Sequence, residues 1–145
     1  MKKTYGLEND TNLKLVIGLS RALKYLKSQE STLVTNMGLT MGQFGVLETL
    51  YHKGDLRICE LIEKNLSSGG NMTVVINNLI KEGYVTKYRD PDDKRAFLVS
   101  LTETGYQTIH TLFPKHVDQL HDIMGHMEMD DKQALLELLK KFNGL

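Results

Sequence analysis

One segment, residues 71–101, restricts the fold of this chain more than any other. Its first part places apolar residues at the spacing of one helix face: Met72, Val75, Ile76, Leu79 and Ile80. Gly83 follows as a helix stop signal. Two β-rich runs, 84–89 and 96–101, then flank a turn that begins Asp90-Pro91, and this arrangement predicts a β-hairpin. The segment therefore predicts an amphipathic helix followed directly by a hairpin.

Two further helices are predicted before this segment. Thr40 and Gln43 form a capping-box pattern at the start of one of them, and its apolar face continues to Tyr51. Residues 55–65 predict a short second helix. The 3-residue spacing assigns three side chains to its inner side: Leu56, Cys59 and Ile62. Three helices and a hairpin in this order predict a winged helix-turn-helix lobe.

Long helices are also predicted at both ends of the chain. Residues of about 10–34 carry apolar stripes on two sides, and such a helix needs two packing partners. Thr102 is the N-cap of another helix, which Pro114 should kink, and a last helix is predicted at about 131–142. Because so small a lobe has no role for these helices, they predict a dimerisation layer.

The predicted fold class is mainly α with a small β-hairpin wing. A chain of 145 residues is expected to form one domain, residues 1–145. Its predicted parts are dimerisation helices at about 10–34 and 102–145, a winged helix-turn-helix lobe at about 40–101, a helix-turn-helix at about 55–82 and a wing at about 84–101.

Composition limits the compartment and the kind of partner. Cys59 is the one cysteine, the start of the chain is polar, and no apolar run approaches the roughly 20 residues of a membrane span. We therefore expect a cytoplasmic protein without a membrane partner. The 18 basic and 18 acidic residues give a formal net charge of zero, which argues against a purely electrostatic nucleic-acid binder. Any anion-binding surface must depend on where the charges point.

The outer face of the helix in 71–82 has short, almost uncharged side chains. Its residues are Gly70, Asn71, Thr73, Val74, Asn77 and Asn78, with Lys81 towards the end. Asparagine can pair with adenine through two hydrogen bonds, and the methyl groups of Thr and Val can contact thymine methyls. Ser67 and Ser68 can cap the helix and meet a phosphate. The alternative is that "SSGGN" is only a turn and the asparagines are a solvated surface.

The whole pattern resembles the MarR family of bacterial winged-helix regulators. "LTMGQFGVLETL" is similar to the second helix of the family, and "LSSGGNMTVVINNLIKEGYV" to its recognition helix. The most specific match is "RDPDDKRAFLVSLTETG", an Asp-Pro-x-Asp-[Lys/Arg]-Arg turn followed by a strand and Leu-Thr-x-x-Gly. The resemblance implies a homodimer built from the N- and C-terminal helices, double-stranded DNA as the partner, a two-fold-symmetric operator and a location at the bacterial nucleoid. Asp92 departs from the pattern, because many members carry Arg or Lys there.

The turn of the wing combines acidic and basic residues. Asp90-Pro91-Asp92-Asp93 suits a type I turn, and Asp93 can pair with the guanidinium of Arg95 and aim it. A narrow A·T minor groove attracts such an arginine. The DNA-contacting set predicted outside the recognition helix is Thr40, Arg89, Asp93, Lys94 and Arg95.

The resemblance also implies a cleft for small, often aromatic, acids or phenols between the dimer helices and the lobe. The residues predicted to line this effector pocket are Tyr25, Met37, Phe44, Tyr51 and His52. Some regulators of this kind sense oxidants through a cysteine. Here Cys59 is predicted to lie on an inner helix face as a small hydrophobe, so a redox-sensing role is only an alternative.

Catalysis and metal binding have no support in the sequence. No Gly-rich phosphate loop, GxSxG motif or catalytic Cys/His spacing is present. His110, His116, His121 and His126 are spaced by 6, 5 and 5 residues, which scatters them around a helix, whereas metal-binding helices use a spacing of 3 or 4. No cofactor is expected. A winged-helix module that binds another protein through the same surface is the remaining rival to a DNA-binding repressor released by a small ligand.

Overall fold

The computed structural model describes residues 3–65 and 69–144. The described chain is mainly helical, with one small antiparallel sheet, and this confirms the predicted fold class. Its elements in chain order are α1 (Leu7–Asn36), α2 (Met41–Lys53), β1 (Leu56–Arg57), α3 (Ile58–Lys64), α4 (Gly69–Lys81), β2 (Val85–Arg89), β3 (Phe97–Leu101), α5 (Glu103–Met124) and α6 (Met129–Phe142). None of the described helices has the length and apolar character needed to cross a membrane.

The sheet has the strand order β1-β3-β2, with both neighbours antiparallel to β3. Leu56 pairs with Val99, and Val85 pairs with Leu101. The hairpin of β2 and β3 agrees with the sequence prediction, whereas the helix predicted over Leu56 and Arg57 is wrong. Because these two residues pair with β3 instead, α3 begins at Ile58.

The core of the lobe forms around α2, whose inner side buries Phe44, Val46, Leu47 and Leu50. α3 adds Leu61, and further buried side chains come from α4, the sheet and α5: Met72, Ile76, Leu79, Val85, Val99, Ile109 and Leu112. The capping box predicted for Thr40 and Gln43 is present, since each side chain bonds the backbone N–H of the other residue. The helical spacing of apolar residues therefore identified both α2 and α4 correctly.

The two terminal helices bury little. α1 has one buried residue, Val34, near its end, and the described residues of α6 include none. α5 passes through Pro114 and packs against α1 near its own C-terminus, where Gln119 Nε2 donates to the carbonyl of Gln29 at 2.7 Å. Large apolar side chains along α1 and α6 face solvent in the single protomer.

The Leu-Thr-x-x-Gly motif joins the hairpin to α5. Thr102 caps α5 by accepting from the N–H of Gly105 at 3.1 Å, and its hydroxyl donates to the carbonyl of Gly83 at 2.6 Å. The N–H of Thr102 donates to the carbonyl of Tyr84 at 3.0 Å. A Cβ atom on Gly105 would lie 1.9 Å from that carbonyl oxygen, so the motif requires glycine at this position.

We therefore expect Gly105→Ala to destabilise the protein by at least about 2 kcal/mol, because backbone would have to move to admit the methyl group. Gly70→Ala is the matched control. It is also helical, but nothing lies within 4 Å of an added Cβ there, so helix propensity should make it neutral or up to about 1 kcal/mol more stable. Urea unfolding measures both. Equal stability of the two variants would contradict the close approach of Gly105 and Tyr84.

Candidate nucleic-acid interface

The outer face of α4 is a continuous exposed surface of short side chains. Six of its residues are those predicted from the sequence, and all are exposed: Gly70, Asn71, Thr73, Val74, Asn77 and Asn78. The opposite side buries Met72, Ile76 and Leu79. Val74 is 57% exposed, so its methyl groups lie on the outer face of the helix. The face combines amides, a hydroxyl and methyl groups, and its one charged residue, Lys81, stands at the C-terminal end.

Three further residues predicted to contact DNA lie at or before the starts of α2 and α4. Ser67 and Ser68, which the sequence predicts to meet a phosphate, lie outside the described residues. The hydroxyl of Thr73 donates to the carbonyl of Gly69 at 3.0 Å and leaves its methyl group available. Thr40 is exposed at the start of α2, but its hydroxyl is engaged in the capping box. A DNA contact of Thr40 stays a prediction.

α2 and α4 are also linked by a side-chain hydrogen bond. The buried Gln43 donates from Nε2 to Oε2 of Glu82, just beyond the end of α4, at 2.9 Å. Its other amide atom completes the capping box of α2. One glutamine therefore fixes the start of α2 and the end of α4 relative to each other, and so orients the exposed face of α4.

The loop between β2 and β3 closes differently from the predicted turn. Its hydrogen-bonded turn runs from Asp93 to Ala96, where the N–H of Ala96 donates to the carbonyl of Asp93 at 2.8 Å. In the Asp90-Pro91 half, the side chain of Asp90 accepts from the N–H of Asp92 at 2.8 Å. The carboxylate of Asp90 thus takes over the closing role that the prediction gave to its backbone.

The basic residues of the wing differ in how freely they can act. The side chain of Arg95 is 94% exposed, and its Nε lies 3.5 Å from Oδ1 of Asp93. The same carboxylate oxygen accepts from the backbone N–H of Arg95 at 3.0 Å, so Asp93 serves both the turn and the guanidinium. Arg89 is held within the hairpin, because its guanidinium lies over the ring of Phe97 and donates to the carbonyl of Lys94. Arg95 is therefore the more available cation.

A salt bridge that the sequence analysis missed joins the wing to β1. Nε and Nη2 of Arg57 each lie 2.6 Å from Oδ2 of Asp90, which is only 5% exposed. The N–H of Asp92 and then the Arg57 guanidinium hold the pKa of the Asp90 carboxyl below its usual range, despite its burial. A second link lies beside it, where Tyr88 donates to Oδ2 of Asp55 at 2.6 Å. Neither link has a local sequence signal, because each joins residues 33 positions apart.

The residues predicted for an effector pocket separate into different environments. Tyr51 and His52 are in ring contact, and the hydroxyl of Tyr51 shares a 2.8 Å hydrogen bond with Nδ1 of His110. Phe44 is buried beneath them and meets the edge of His116. Tyr25 is exposed on α1, whereas Met37 borders a separate shallow hollow with polar residues of α5. Two further aromatic rings also contact Tyr51, those of Tyr106 and Phe113, and the sequence prediction did not include them.

The predicted burial of Cys59 is wrong. Its side chain is exposed, because α3 begins at Ile58 and turns Leu61 inward, with Ile58 and Ile62 partly buried beside it. Leu56 belongs to β1 and so does not extend a helical stripe to Cys59. The error follows directly from the missed strand.

A protein-family model for the transcriptional regulators SarA and Rot matches residues 22–112, which span the second half of α1, the whole lobe and the first part of α5. The chain belongs to the SarA/Rot family of transcriptional regulators. This regulator is also 29% identical to the HTH-type transcriptional regulator MhqR of Bacillus subtilis over 132 residues, or 91% of each chain.

Solved structures of MarR-family proteins share its fold. Sco3205 of Streptomyces coelicolor, a MarR family regulator in complex with DNA, superposes with a TM-score of 0.85 and 20% identity over 99% of this chain and 91% of its own. NadR in complex with 4-hydroxyphenylacetate superposes with a TM-score of 0.75 and 19% identity over 98% and 96%. The predicted relation to the MarR regulators is confirmed, and the relatives are transcriptional regulators rather than enzymes.

Proposed function

We propose that this regulator is a homodimeric repressor that binds an A·T-rich inverted-repeat operator and is released by a small aromatic ligand. The observation that carries the DNA-binding part is the exposed face of α4, which joins asparagines, a threonine and Val74 without an arginine. Asparagine pairs with adenine, and methyl groups contact thymine, whereas arginine is the usual partner of guanine. Sco3205, which has the same fold, was solved in complex with DNA, and this supports DNA as the partner.

The wing supplies the second contact of the proposal. Arg95 stands almost fully exposed at the tip of the hairpin, and a narrow A·T minor groove attracts an arginine of this kind. Arg89 acts indirectly, since it is engaged with Phe97 and Lys94. The formal charge of zero means that the contact depends on this placement and gains little from overall attraction.

A second copy of the chain is the proposed occupant of the apolar faces of α1 and α6. The single protomer exposes 10633 Å², against about 7,500 Å² for a compact folded monomer of this size. The difference, roughly 3,000 Å² per protomer and so about 6,000 Å² for a pair, falls among the large interfaces of obligate dimers. Val16 on α1 is 62% exposed and Phe142 on α6 is 75% exposed, so both helices offer large apolar side chains to a partner.

The ligand part of the proposal rests on the ring cluster around Tyr51. The Tyr51 hydroxyl and the His110 imidazole form a polar pair, and the rings of His52, Tyr106 and Phe113 surround Tyr51. Aromatic walls with a small number of polar groups are the usual composition of a small-molecule site. NadR, with the same fold, binds 4-hydroxyphenylacetate, a ligand with one phenol and one carboxylate.

Oxidation of Cys59 is a second candidate for the release signal, favoured by its exposure on α3. An accessible thiol can react, whereas a buried one is inert. Cys59→Ser separates the two candidates, since it would abolish a response to oxidant and leave a response to an aromatic ligand intact.

Selection from random DNA tests the function as a whole. We expect A·T-rich inverted repeats with half-sites centred about 34–36 Å apart, bound by one dimer in sedimentation experiments. Thr73→Ala should cost about 1–3 kcal/mol at particular base positions and relax the preference there. Selected sites dominated by G·C pairs, or a folded monomer at low micromolar concentration, would contradict the proposal. If the chain showed no salt-dependent, sequence-selective binding to DNA, the alternative of a winged-helix module that binds another protein would be favoured.

The role of the wing is tested by Arg95→Ala and Asp93→Ala. Arg95→Ala should weaken binding to every operator variant, with little change in base preference. It should also lower by about one unit the magnitude of the slope of the logarithm of affinity against the logarithm of salt concentration (the salt slope). Removing the acid Asp93 should tighten binding on charge alone, but it should weaken binding if Asp93 aims Arg95. We expect weakening, and no added loss in the double variant. If Asp93→Ala bound DNA more tightly than the wild type at fixed salt, the role of Asp93 would be confined to closing the turn.

The ligand site is tested with 4-hydroxyphenylacetate as the probe. We expect the probe to release operator DNA, and Tyr51→Phe to raise the concentration required about fivefold, since one hydrogen bond of about 1 kcal/mol is lost. Tyr5→Phe, at an exposed tyrosine before α1, is the matched control and should release as the wild type does. Identical release by Tyr51→Phe and the wild type would remove Tyr51 from the site.

A further inference from the structure

The outer face of the small sheet carries two parallel links between its edge strands. Arg57 of β1 and Tyr88 of β2 both pair with Leu98 of the central strand β3, so all three side chains lie on the same face. Asp90 follows Tyr88 by two positions and continues this face. The Asp55–Tyr88 and Arg57–Asp90 bonds therefore both cross β3 on the side away from the core.

The two links differ in what they hold. Asp55–Tyr88 joins the residue just before β1 to Tyr88 of β2, whose position is already fixed by its pairing with β3. Arg57–Asp90 reaches the turn, whereas these other hydrogen bonds of the turn stay within the hairpin: Asp90 to Ala96, Asp92 to Asp90, Ala96 to Asp93, Arg95 to Asp93 and Arg89 to Lys94. Asp90 thus connects the interior of the turn to Arg57 through a single carboxylate.

Arg57 is in turn fixed to the helix-turn-helix. Its backbone N–H donates to Oε2 of Glu60 at 2.8 Å, which anchors the start of α3. Its side chain is 39% exposed, so it reaches Asp90 from the edge of the sheet while the carboxylate is enclosed. The path from α3 through Arg57 and Asp90 to the turn is therefore continuous.

We propose that Arg57 is a positioning residue for the DNA-binding wing, holding through Asp90 the turn that presents Arg95. This inference rests on the proposed function and assigns Arg57 no DNA contact. A turn freed from Arg57 would have to be ordered when DNA binds, and this ordering opposes association. The contribution of Arg57 to binding therefore depends on Arg95.

The test compares Arg57→Gln, Asp90→Asn and the double variant by fluorescence anisotropy on the selected operator at fixed salt. Asp90→Asn keeps an acceptor for the N–H of Asp92 and removes only the charge. We expect each single variant to bind about tenfold more weakly, as for a few side chains ordered on association, and the double variant to bind no more weakly than either. In an Arg95→Ala background, Arg57→Gln should change binding less than about twofold.

Tyr88→Phe is the matched control, because it removes the neighbouring link on the same face without reaching the turn. It should bind within about twofold of the wild type, whereas hydrogen exchange of the amides at 92–96 should quicken in Arg57→Gln and not in Tyr88→Phe. All variants are measured at a temperature where unfolding experiments show them folded.

Three results would overturn the inference. If Arg57 contacted a phosphate directly, Arg57→Gln would lower the salt slope by about one unit and would weaken binding in the Arg95→Ala background as well. Asp90→Asn would then bind DNA as tightly as the wild type. Wild-type affinity of Arg57→Gln, with unchanged amide exchange, would show that the link does not position the wing. A wild-type chain that bound no selected DNA would remove the proposed function and the inference together, and this result is distinct from the other two.

Discussion

The backbone of Tyr84 is the contact on which the arrangement of the lobe depends. Its N–H donates to the carbonyl of Leu79 at 2.9 Å and so closes the end of α4, while its carbonyl accepts from the N–H of Thr102 at 3.0 Å. Gly105 of α5 packs against the same carbonyl, at a distance that excludes any side chain. The backbone of one residue thus joins the end of α4, the start of the hairpin and the first turn of α5.

The parts of the fold with a strong local pattern could be predicted from the sequence. Met72, Ile76 and Leu79 mark the buried side of α4, and the exposed side follows from them without further information. Thr40 and Thr102 identified two helix starts, because capping is decided within three residues. β1 was missed for the opposite reason. Two residues cannot display the alternation of a strand, and Leu56 and Arg57 become a strand only by pairing with β3.

The candidate site was harder to predict where it depends on tertiary contacts. Arg57 and Asp90 form a salt bridge across a strand, and neither their residue types nor their spacing in the sequence predicts such a pair. The prediction for the Asp90-Pro91 turn considered its backbone and omitted the burial of its carboxylate, which the fold determines. Similarly, Tyr51 and His52 were selected together, but their neighbours Tyr106 and Phe113 come from α5. Local patterns predict faces of elements, whereas the partners of those faces require the fold.

α5 has a mechanical consequence. Its first turn abuts Tyr84 beside α4, and near its other end His116 and Gln119 approach Glu30 and Gln29 of α1. A helix of 22 residues is about 33 Å long, so tilting it by about 5° at one end displaces the other by about 3 Å. That displacement is comparable to the rise of one base pair. α5 therefore couples α1 to the end of α4, and a small tilt of α5 at α1 would reach the exposed face of α4 as a displacement enlarged along the helix.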